Sequence, residues 1–302
     1  MPEANSYLNL GCGNRYHPAW INIDIAPQGP EVIQNDLCRG IPLSDASCDV
    51  VYHAAVLEHL RRPDAEAFLA DCYRVLKPGG IIRIGVPDLE KICQLYLSRL
   101  DAALDGEEAT SHDYDWIMLE LFDQVVREKS GGGMLDYLRQ NPLPNETFVY
   151  ERIGEEGREL VRALRLQYGQ GRNTLGVFLS RLGKGLRTLP CFLQELRRTL
   201  RYSKRAVKSL ILRGLLGAAD RRALEIGRFR LAGEVHQWMY DRYSLARLLS
   251  LTGFNEPRLQ DASTSLIPNW ADFHLDTLPD GQVIKPDLIF MEAIKPGEPL
   301  HG

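Results

Sequence analysis

Apolar and polar positions alternate along the first ninety residues in a pattern that predicts strands joined by helices or loops. Four short apolar runs predict strands, at 7–10, 20–25, 31–35 and 48–55. Residues 64–76 then carry apolar side chains at helical spacing and end at Lys-Pro-Gly-Gly, which stops a helix. The continuous apolar run at 81–87 predicts a fifth strand, buried in a parallel sheet.

The same alternation returns near the other end of the chain. Residues 244–254 predict an amphipathic helix, and strands are expected at 255–262 and 285–295. Together these elements predict an α/β fold with a Rossmann-like, doubly wound sheet of seven strands. We expect the core at 1–90 and 234–302, with a large, mostly helical insertion at 91–233 between the fifth strand and the helix before the sixth.

The first two predicted strands are separated by too few residues for an ordinary crossover helix. The segment between Gly13 and Trp20 has no helical period, and Pro18 disfavours helix at the residue before it. The sequence therefore predicts a loop in place of the first helix. A dinucleotide is disfavoured, because its fingerprint needs a small residue where Tyr16 stands and a helix N-terminus for the pyrophosphate.

Polar residues and glycines end the predicted strands on the side where open α/β sheets bind ligands. Gly11 and Gly13 let the backbone approach a ligand closely. Asp24 ends the second strand, where a carboxylate can accept hydrogen bonds from a ribose diol, and Asp36 follows the third, where it can meet an adenine amino group. A ligand with adenosine and no phosphate, such as S-adenosylmethionine, fits this pattern.

Five motifs in this order resemble class I S-adenosylmethionine-dependent methyltransferases, most closely a small-molecule group with Leu-Glu-His after the fourth strand. The motifs, over about residues 5–90 and 236–295, are LNLGCG, the acid Asp24, NDL with Asp36, CDVVYHAAVLEHL and VLKPGGIIRIGVP. Two departures are Asn9, where many members have an acid, and the shortened first helix, which is also seen in members resembling those of glycan biosynthesis.

The resemblance implies S-adenosylmethionine as the cofactor and a set of residues around it. It implies Gly11 and Gly13 near the methionine part, Asp24 at the ribose, and Asp36 with Leu37 at the adenine. The full set of cofactor-binding residues is Asn9, Gly11, Cys12, Gly13, Asp24, Ile25, Asp36, Leu37, His53, Ala54 and Ala55, the last three beside the sulfonium.

Methyl transfer to a hydroxyl also needs a base within about 2.6–3.2 Å of the proton. We rank His236 first, because the polar residues of His-Gln-Trp-Met-Tyr-Asp interrupt an apolar segment, and His53 second, at the end of the fourth strand. The alternative for each is a hydrogen-bonded structural histidine. Glu58 and His59 either orient the following helix or take part in function. The remaining candidates are His112, Asp115, Asp241, His274 and Asp276.

Four charged residues of the insertion fall near one face of a predicted helix. They are Asp115, Glu120, Asp123 and Arg127. Such a face is typically solvated. No spacing among the acids is diagnostic of a metal site, and no metal is predicted.

Charge is distributed unevenly although the formal net charge is only −4. Residues 158–230 hold 18 of the 36 Lys and Arg residues but only four of the 40 Asp and Glu residues, which is a net of +14 there and −18 elsewhere. Leucines at helical spacing run through 175–216 of this stretch. This pattern is typical of a basic amphipathic helix, which either lies on an anionic membrane surface or forms a lid over the catalytic core.

Composition narrows the class of protein. The chain starts without a basic and apolar leader, has no apolar run of about 18 residues, and its six cysteines lack metal-site spacing, so we expect a reduced, cytoplasmic protein. If the basic stretch binds lipid, the protein would sit at the inner face of the membrane. Nucleic acid is not expected as a partner, because the whole chain is acidic and no recognition motif accompanies the bases.

Two functional hypotheses follow. The first is an enzyme that transfers a methyl group from S-adenosylmethionine to a hydroxyl of a sugar, a glycan intermediate or another polar small molecule. The alternative is a non-catalytic binding protein with a methyltransferase fold, attached to a membrane or a partner through the basic insertion. Asn9 in place of an acid favours the second hypothesis.

Overall fold

The computed structural model describes residues 6–169 and 216–297. One sheet contains seven strands: β1 (Tyr7–Leu10), β2 (Ile21–Asp24), β3 (Val32–Gln34), β4 (Cys48–Ala54), β5 (Leu76–Pro87), β6 (Asn255–Gln260) and β7 (Leu288–Ile294). The strand order is β3-β2-β1-β4-β5-β7-β6, and β7 runs antiparallel to both of its neighbours. The predicted seven-stranded, Rossmann-like sheet is confirmed.

Helices cover one face of the sheet and make up most of the described chain between β5 and β6. The α-helices within the described ranges are α1 (Arg62–Val75), α2 (Leu89–Leu104), α3 (Glu108–Val126), α4 (Gly132–Leu138), α5 (Glu146–Gly169), α6 (Ala218–Arg230) and α7 (Arg242–Leu251). Helices α2 to α6 therefore fall within the predicted insertion, whose boundaries stay a prediction. Within the two described ranges, none of the helices combines the length and the apolar composition that crossing a bilayer requires. Of the predicted basic helix at 175–216, all but Leu216 lies outside the described residues.

One face of the sheet is covered by α1 and α7. Phe68 and Leu69 of α1 share a core with Leu8 and Val51 of the central strands, and each of the four is at most 4% exposed. Apolar side chains recur along α1 at helical spacing, so the helix buries one stripe against the sheet.

The opposite face is covered by aromatic rings instead of a helix. No helix lies between β1 and β2, as predicted. Trp20 makes edge contacts there with Tyr7, Tyr52, Trp270 and Phe273, with ring centroids 5.1–6.1 Å apart. Edge-to-face geometry is favourable for aromatic pairs, so residues from the connection between β6 and β7 take the place of the missing helix.

Arg83 of β5 holds that connection against the sheet. Its guanidinium is fully buried and donates to Asp276 at 2.9 Å and to Glu292 at 2.8 Å. It also donates to the backbone carbonyls of Asp261 and Thr264. A buried guanidinium is tolerated only with such full pairing.

Helices α2 to α5 form a lobe with a core of its own. The buried residues of this core are Ile92, Trp116, Ile117, Leu138, Leu143, Val149, Val161 and Leu164. Because α2 begins two residues after β5 ends, the lobe stands at the carboxyl edge of the parallel strands. This placement brings the lobe over the side where such sheets bind ligands.

The expectation of a solvated charged face on α3 is wrong for three of its four residues. Glu120 is 5% exposed and accepts three hydrogen bonds from the Arg152 guanidinium. Asp123 and Arg127 are also buried and are paired with each other at 2.6 Å. These charges therefore cross-link the lobe. The expectation was wrong because helix periodicity predicts which face of the helix a side chain occupies, but not what packs against that face. Asp115 is exposed, as expected.

Candidate functional site

A first cavity opens at the carboxyl ends of β1 and β4. It is lined by Asn9, Gly11, Cys12, Gly13, Asn14, Arg15, Tyr52, Ala54, Ala55, Glu156, Leu275, Asp276, Ile284, Lys285, Leu288 and Phe290. Its volume is about 160 Å³, and it is open to solvent.

The glycine loop borders this cavity, and glycine is present at its two positions for different structural reasons. Gly11 has a φ of +64°, and a Cβ added to it would lie 2.4 Å from Cγ2 of Val56. Gly13 has a φ of +53°, but no atom lies within 4 Å of the position of an added Cβ. Gly11 is therefore required by packing, whereas Gly13 leaves open space beside the backbone that a ligand can fill.

Asp24 is held at the end of β2 by two backbone hydrogen bonds. Its Oδ2 accepts from the nitrogen of Gly13 at 2.8 Å, and its Oδ1 accepts from the nitrogen of Ala26 at 2.7 Å. Each carboxylate oxygen has a further lone pair, so the group can still accept from a diol. The neighbouring Ile25 is 63% exposed, which leaves apolar surface next to the carboxylate. This arrangement fits an adenosine group.

The predicted adenine-side residues and Cys12 are placed as follows. Asp36 accepts a hydrogen bond from the nitrogen of Cys38 and so caps the 3₁₀ turn Leu37–Arg39. Leu37 packs against the main core. Cys12 is buried in the glycine loop, and burial, reinforced by Asp24, raises the pKa of its thiol to about 11. At neutral pH Cys12 is therefore a protonated neighbour of the cavity and not a nucleophile.

Asn9, in β1, stabilises the glycine loop that follows this strand. Its side chain is 1% exposed, and Nδ2 donates to the carbonyl of Arg15 at 3.0 Å and to Oδ1 of Asn22 at 3.3 Å. A carboxylate could not donate these hydrogen bonds. The departure from the family pattern at this position thus has a structural role in the shortened loop.

At the end of β4, the residues predicted to contact the cofactor lie on two different faces of the sheet. Ala54 and Ala55 line the cavity, and Ala55 has a φ of +55°, a left-handed conformation that is costly for a residue other than glycine. His53 points to the opposite face, where its ring lies 5.1 Å from that of Phe68 and is fully buried. Burial lowers the pKa of His53 to about 3. Side chains alternate along a strand, so the structure does not bring the His53 side chain to the cavity.

A second cavity adjoins the first. The two share Ala55, Glu156, Lys285 and Leu288. Helices α3 to α5 give the second cavity an apolar wall that includes Trp116, Met134, Leu135, Leu138, Ile153 and Leu160. Its polar end is formed by Glu58, His59 and His236.

His236, the first-ranked candidate base, is fixed beside the 3₁₀ turn Leu57–His59. Its backbone nitrogen donates to the carbonyl of Gln124 at 2.9 Å, and the nitrogen of Gln237 donates to the carbonyl of Glu58 at 2.6 Å. The rings of His236 and His59 meet edge to face with centroids 4.8 Å apart. Residues far apart in sequence are thus joined at the cavity.

Burial changes the protonation of this polar end. Burial, reinforced by the positive charge that His59, Arg127 and Lys285 can carry, lowers the pKa of His236 to about 3. Burial raises the pKa of Glu58 to about 8. From the sequence, Glu58 and His59 could either orient the following helix or take part in function, and the Leu-Glu-His motif was the only signal for their place in the cavity.

The remaining candidates lie outside this polar end. His112 and His274 are exposed. Asp241 caps α7 by accepting from the nitrogen of Ser244 at 2.8 Å. Asp276 belongs to the Arg83 network and also accepts from the Tyr52 hydroxyl at 2.6 Å.

Comparisons with known proteins point to one class of enzyme. Residues 18–84 match the family described as "Methyltransferase domain". A probable S-adenosylmethionine-dependent methyltransferase of Mycolicibacterium smegmatis is 46% identical over 48 residues, which cover 16% of this chain and 18% of that protein. One of Mycobacterium tuberculosis is 41% identical over 58 residues, covering 19% and 20%. The matched stretch is thus about a fifth of the length of these curated relatives.

Solved structures give a weaker likeness. An S-adenosylmethionine-dependent methyltransferase from Archaeoglobus fulgidus is 21% identical with a TM-score of 0.26, covering 32% of this chain and 52% of that one. One from Mesorhizobium loti is 18% identical with a TM-score of 0.23, covering 29% and 49%. Scores this low carry no argument about function. The family and sequence matches, over less than a quarter of the chain, support the prediction that its core is of the class I S-adenosylmethionine-dependent methyltransferase type.

Proposed function

We propose that this chain transfers a methyl group from S-adenosylmethionine to a hydroxyl of a sugar, a glycan intermediate or another polar small molecule. The observation that carries the proposal is the pair of adjoining cavities, the first lined by Gly13, whose nitrogen donates to Asp24, and the second lined by Glu58 and His236. A transfer reaction needs two molecules held with their reacting atoms in line, and positioning supplies much of the acceleration.

The first cavity is the cofactor site. The backbone of Gly13 gives close approach, Asp24 accepts from the ribose hydroxyls, and Asp36 with the exposed Ile25 contacts the adenine. Ala55 lies at the junction of the cavities, beside the sulfonium. When bound, S-adenosylmethionine supplies an electrophilic methyl group: its carbon bonds to the acceptor oxygen while the electron pair of the broken carbon–sulfur bond stays on sulfur, giving S-adenosylhomocysteine.

The second cavity is the acceptor site, and its two ends differ. The cluster of Glu58, His59 and His236 is polar, whereas α3 to α5 supply carbon-rich surface. An acceptor that presents a hydroxyl to the cluster and a carbon-rich body to the helices matches both ends. The sugar ring of a glycan intermediate has this character, with polar edges and apolar faces.

His236 takes the proton that the acceptor hydroxyl loses. Its pKa of about 3 keeps the imidazole neutral at pH 7, so it can accept a proton, and its Nδ1 has no hydrogen-bond partner. His236→Ala should lower turnover by roughly 10²-fold while leaving cofactor affinity nearly intact. The matched control is His112→Ala, because His112 is exposed on α3.

Calorimetry of the full chain with S-adenosylmethionine and S-adenosylhomocysteine tests the cofactor site. One binding site per chain is expected. Turnover of S-adenosylmethionine to S-adenosylhomocysteine is expected only when a hydroxylated acceptor, such as a free or nucleotide-linked hexose, is present. Absence of binding at millimolar ligand would leave the non-catalytic binding protein as the function. An active His236→Ala variant would remove the base assignment alone.

A further inference from the structure

The ligand cluster, defined as Glu58, His59 and His236, joins two distant parts of the chain at the second cavity. Glu58 and His59 belong to the turn after β4, and His236 precedes α7. One nitrogen or oxygen of each side chain lies within 4.8 Å of those of the other two. Glu58 is 1% exposed and His236 is 4% exposed. Three groups able to ligate a metal are therefore gathered in a site largely shielded from water.

The cluster lacks hydrogen bonds that such burial normally demands. Both carboxylate oxygens of Glu58 and the Nδ1 atoms of His59 and His236 have no partner. A buried polar atom without a partner costs about 1–3 kcal/mol, and most are satisfied in folded proteins. The backbone carbonyl of Val235 lies beside the His59 ring. A metal-ligating imidazole is commonly held by such a carbonyl, which leaves its other nitrogen for the metal.

We propose that Glu58, His59 and His236 bind one divalent cation of the first transition row in the second cavity. Two imidazole nitrogens and one carboxylate oxygen are a ligand set that suits Zn²⁺ and the neighbouring metals. Mg²⁺ and Ca²⁺ prefer sets made of oxygen. The inference deepens the proposed function and rests on it for the meaning of the site, because the ion would lie where the acceptor hydroxyl binds.

The three side chains would have to move closer together to hold an ion. In tetrahedral coordination with ligand distances of about 2.0–2.2 Å, two ligands of one ion are about 3.3–3.6 Å apart. The separations of up to 4.8 Å in the cluster are more than an ångström larger. The hydrogen bond between the nitrogen of Gln237 and the carbonyl of Glu58 holds the two backbones together. Rotation of the three side chains would have to supply the approach.

Two cations near the cluster are each balanced by carboxylates. Arg127 pairs with Asp123 at 2.6 Å and with Glu234 at 3.2 Å. Lys285 pairs with Glu156 at 3.1 Å. Their repulsion of a bound ion is thus offset locally, and the ion takes no ligand away from either pair.

A bound cation would change the part that His236 plays. Coordination to a divalent ion makes a hydroxyl more acidic. The acceptor hydroxyl would then depend less on a strong base, and His236 would act as a ligand. Direct metal binding is the property that distinguishes this role from that of a base.

The test is titration of the metal-free full chain with Co²⁺, Zn²⁺ and Mg²⁺ by calorimetry, with visible absorption as a second signal for Co²⁺. One Co²⁺ or Zn²⁺ per chain is expected, with Mg²⁺ bound at least tenfold more weakly. Glu58→Gln and His236→Asn should each weaken Co²⁺ binding by roughly tenfold or more, since even the loss of an outer-shell partner costs 10–100-fold. His112→Asn, an exposed histidine outside the cluster, should leave it unchanged.

Absence of Co²⁺ and Zn²⁺ binding, or binding that Glu58→Gln and His236→Asn do not alter, overturns the proposal. Circular dichroism identifies a variant that fails to fold. If one of the two variants does not fold, the other is sufficient for the comparison of metal binding with the wild type. Calorimetry with S-adenosylhomocysteine on the same samples separates the two proposals. Cofactor binding without metal binding refutes only the metal site, whereas metal binding without cofactor binding refutes only the methyl transfer.

Discussion

The Asp24 carboxylate accepts a hydrogen bond of 2.8 Å from the backbone nitrogen of Gly13, which ties the end of β2 to the loop after β1. The two residues are eleven positions apart, and no helix separates their strands. A shortened connection therefore places the carboxylate next to the glycine loop, and the loop lines the first cavity. An adenosine ribose is expected beside this carboxylate.

Asp24→Ala should weaken S-adenosylmethionine binding by at least tenfold. The ribose loses a charged acceptor, and each tenfold corresponds to about 1.4 kcal/mol. Calorimetry measures the change directly. Asp64→Ala is the control, since Asp64 is at the surface with Arg61 as its partner. Unchanged affinity in a folded Asp24→Ala variant would contradict the ribose assignment.

Gly11→Ala and Gly13→Ala should separate packing from ligand binding. Both positions have positive φ, so each substitution strains the backbone by about 1–2 kcal/mol. Only at Gly11 does the added Cβ also collide with Val56, and overpacking of this kind costs a further 1–3 kcal/mol or so. We expect Gly11→Ala to lower the free energy of unfolding more than Gly13→Ala does. Relative to its loss of stability, Gly13→Ala should weaken cofactor binding more than Gly11→Ala does.

Urea unfolding and calorimetry of the two glycine variants check this order. Val56→Ala combined with Gly11→Ala should recover part of the lost stability, because it removes the Cγ2 atom that the new Cβ would meet. Equal loss of stability in the two single variants, with no recovery in the double variant, would show that the Val56 contact is unimportant.

Arg83→Met should destabilise the fold by about 3–5 kcal/mol. The substitution leaves the carboxylates of Asp276 and Glu292 buried without their partner, which is the costly way to break a buried ion pair. Urea unfolding measures the loss, and the exposed Arg258→Met on β6 is the control. A loss below about 1 kcal/mol would mean that the connection between β6 and β7 is held chiefly by its aromatic contacts.

Much of the sheet was predictable because its signals are local. Apolar runs placed all seven strands, although β5 begins at Leu76, five residues before the predicted start, and the spacing between Gly13 and Trp20 excluded a first helix. The position of Asp24 at the end of β2 was predictable as well, at the edge where parallel sheets bind ligands.

The rest depended on contacts between distant segments. Alternation along β4 puts His53 and Tyr52 on opposite faces, but it does not say which face holds the cavity. Periodicity on α3 likewise did not reveal that Arg152 pairs with Glu120. The cluster at the second cavity joins Glu58 to His236 across the whole helical insertion, and no pattern within either segment contains that information.

His53→Leu should make the protein less sensitive to acid. Burial lowers the pKa of His53 to about 3, against about 6.5 in the unfolded chain, so the unfolded state binds the extra proton between these values. The native state therefore loses stability as the pH falls below about 6.5, by roughly 2 kcal/mol between pH 7 and pH 5. Leucine does not titrate, so the variant should lack this part of the loss.

Urea unfolding of wild type and His53→Leu at pH 7, 6 and 5 measures the difference in slope. At pH 7 the variant should be at least as stable as the wild type, because both ring nitrogens of His53 are buried without partners and an apolar side chain carries no such cost. Cofactor affinity should stay the same, since the ring packs against Phe68 on the face away from the cavity. Parallel stability curves for the two proteins would show that the native state does not lower the pKa of His53, and a loss of cofactor binding would return it to the site.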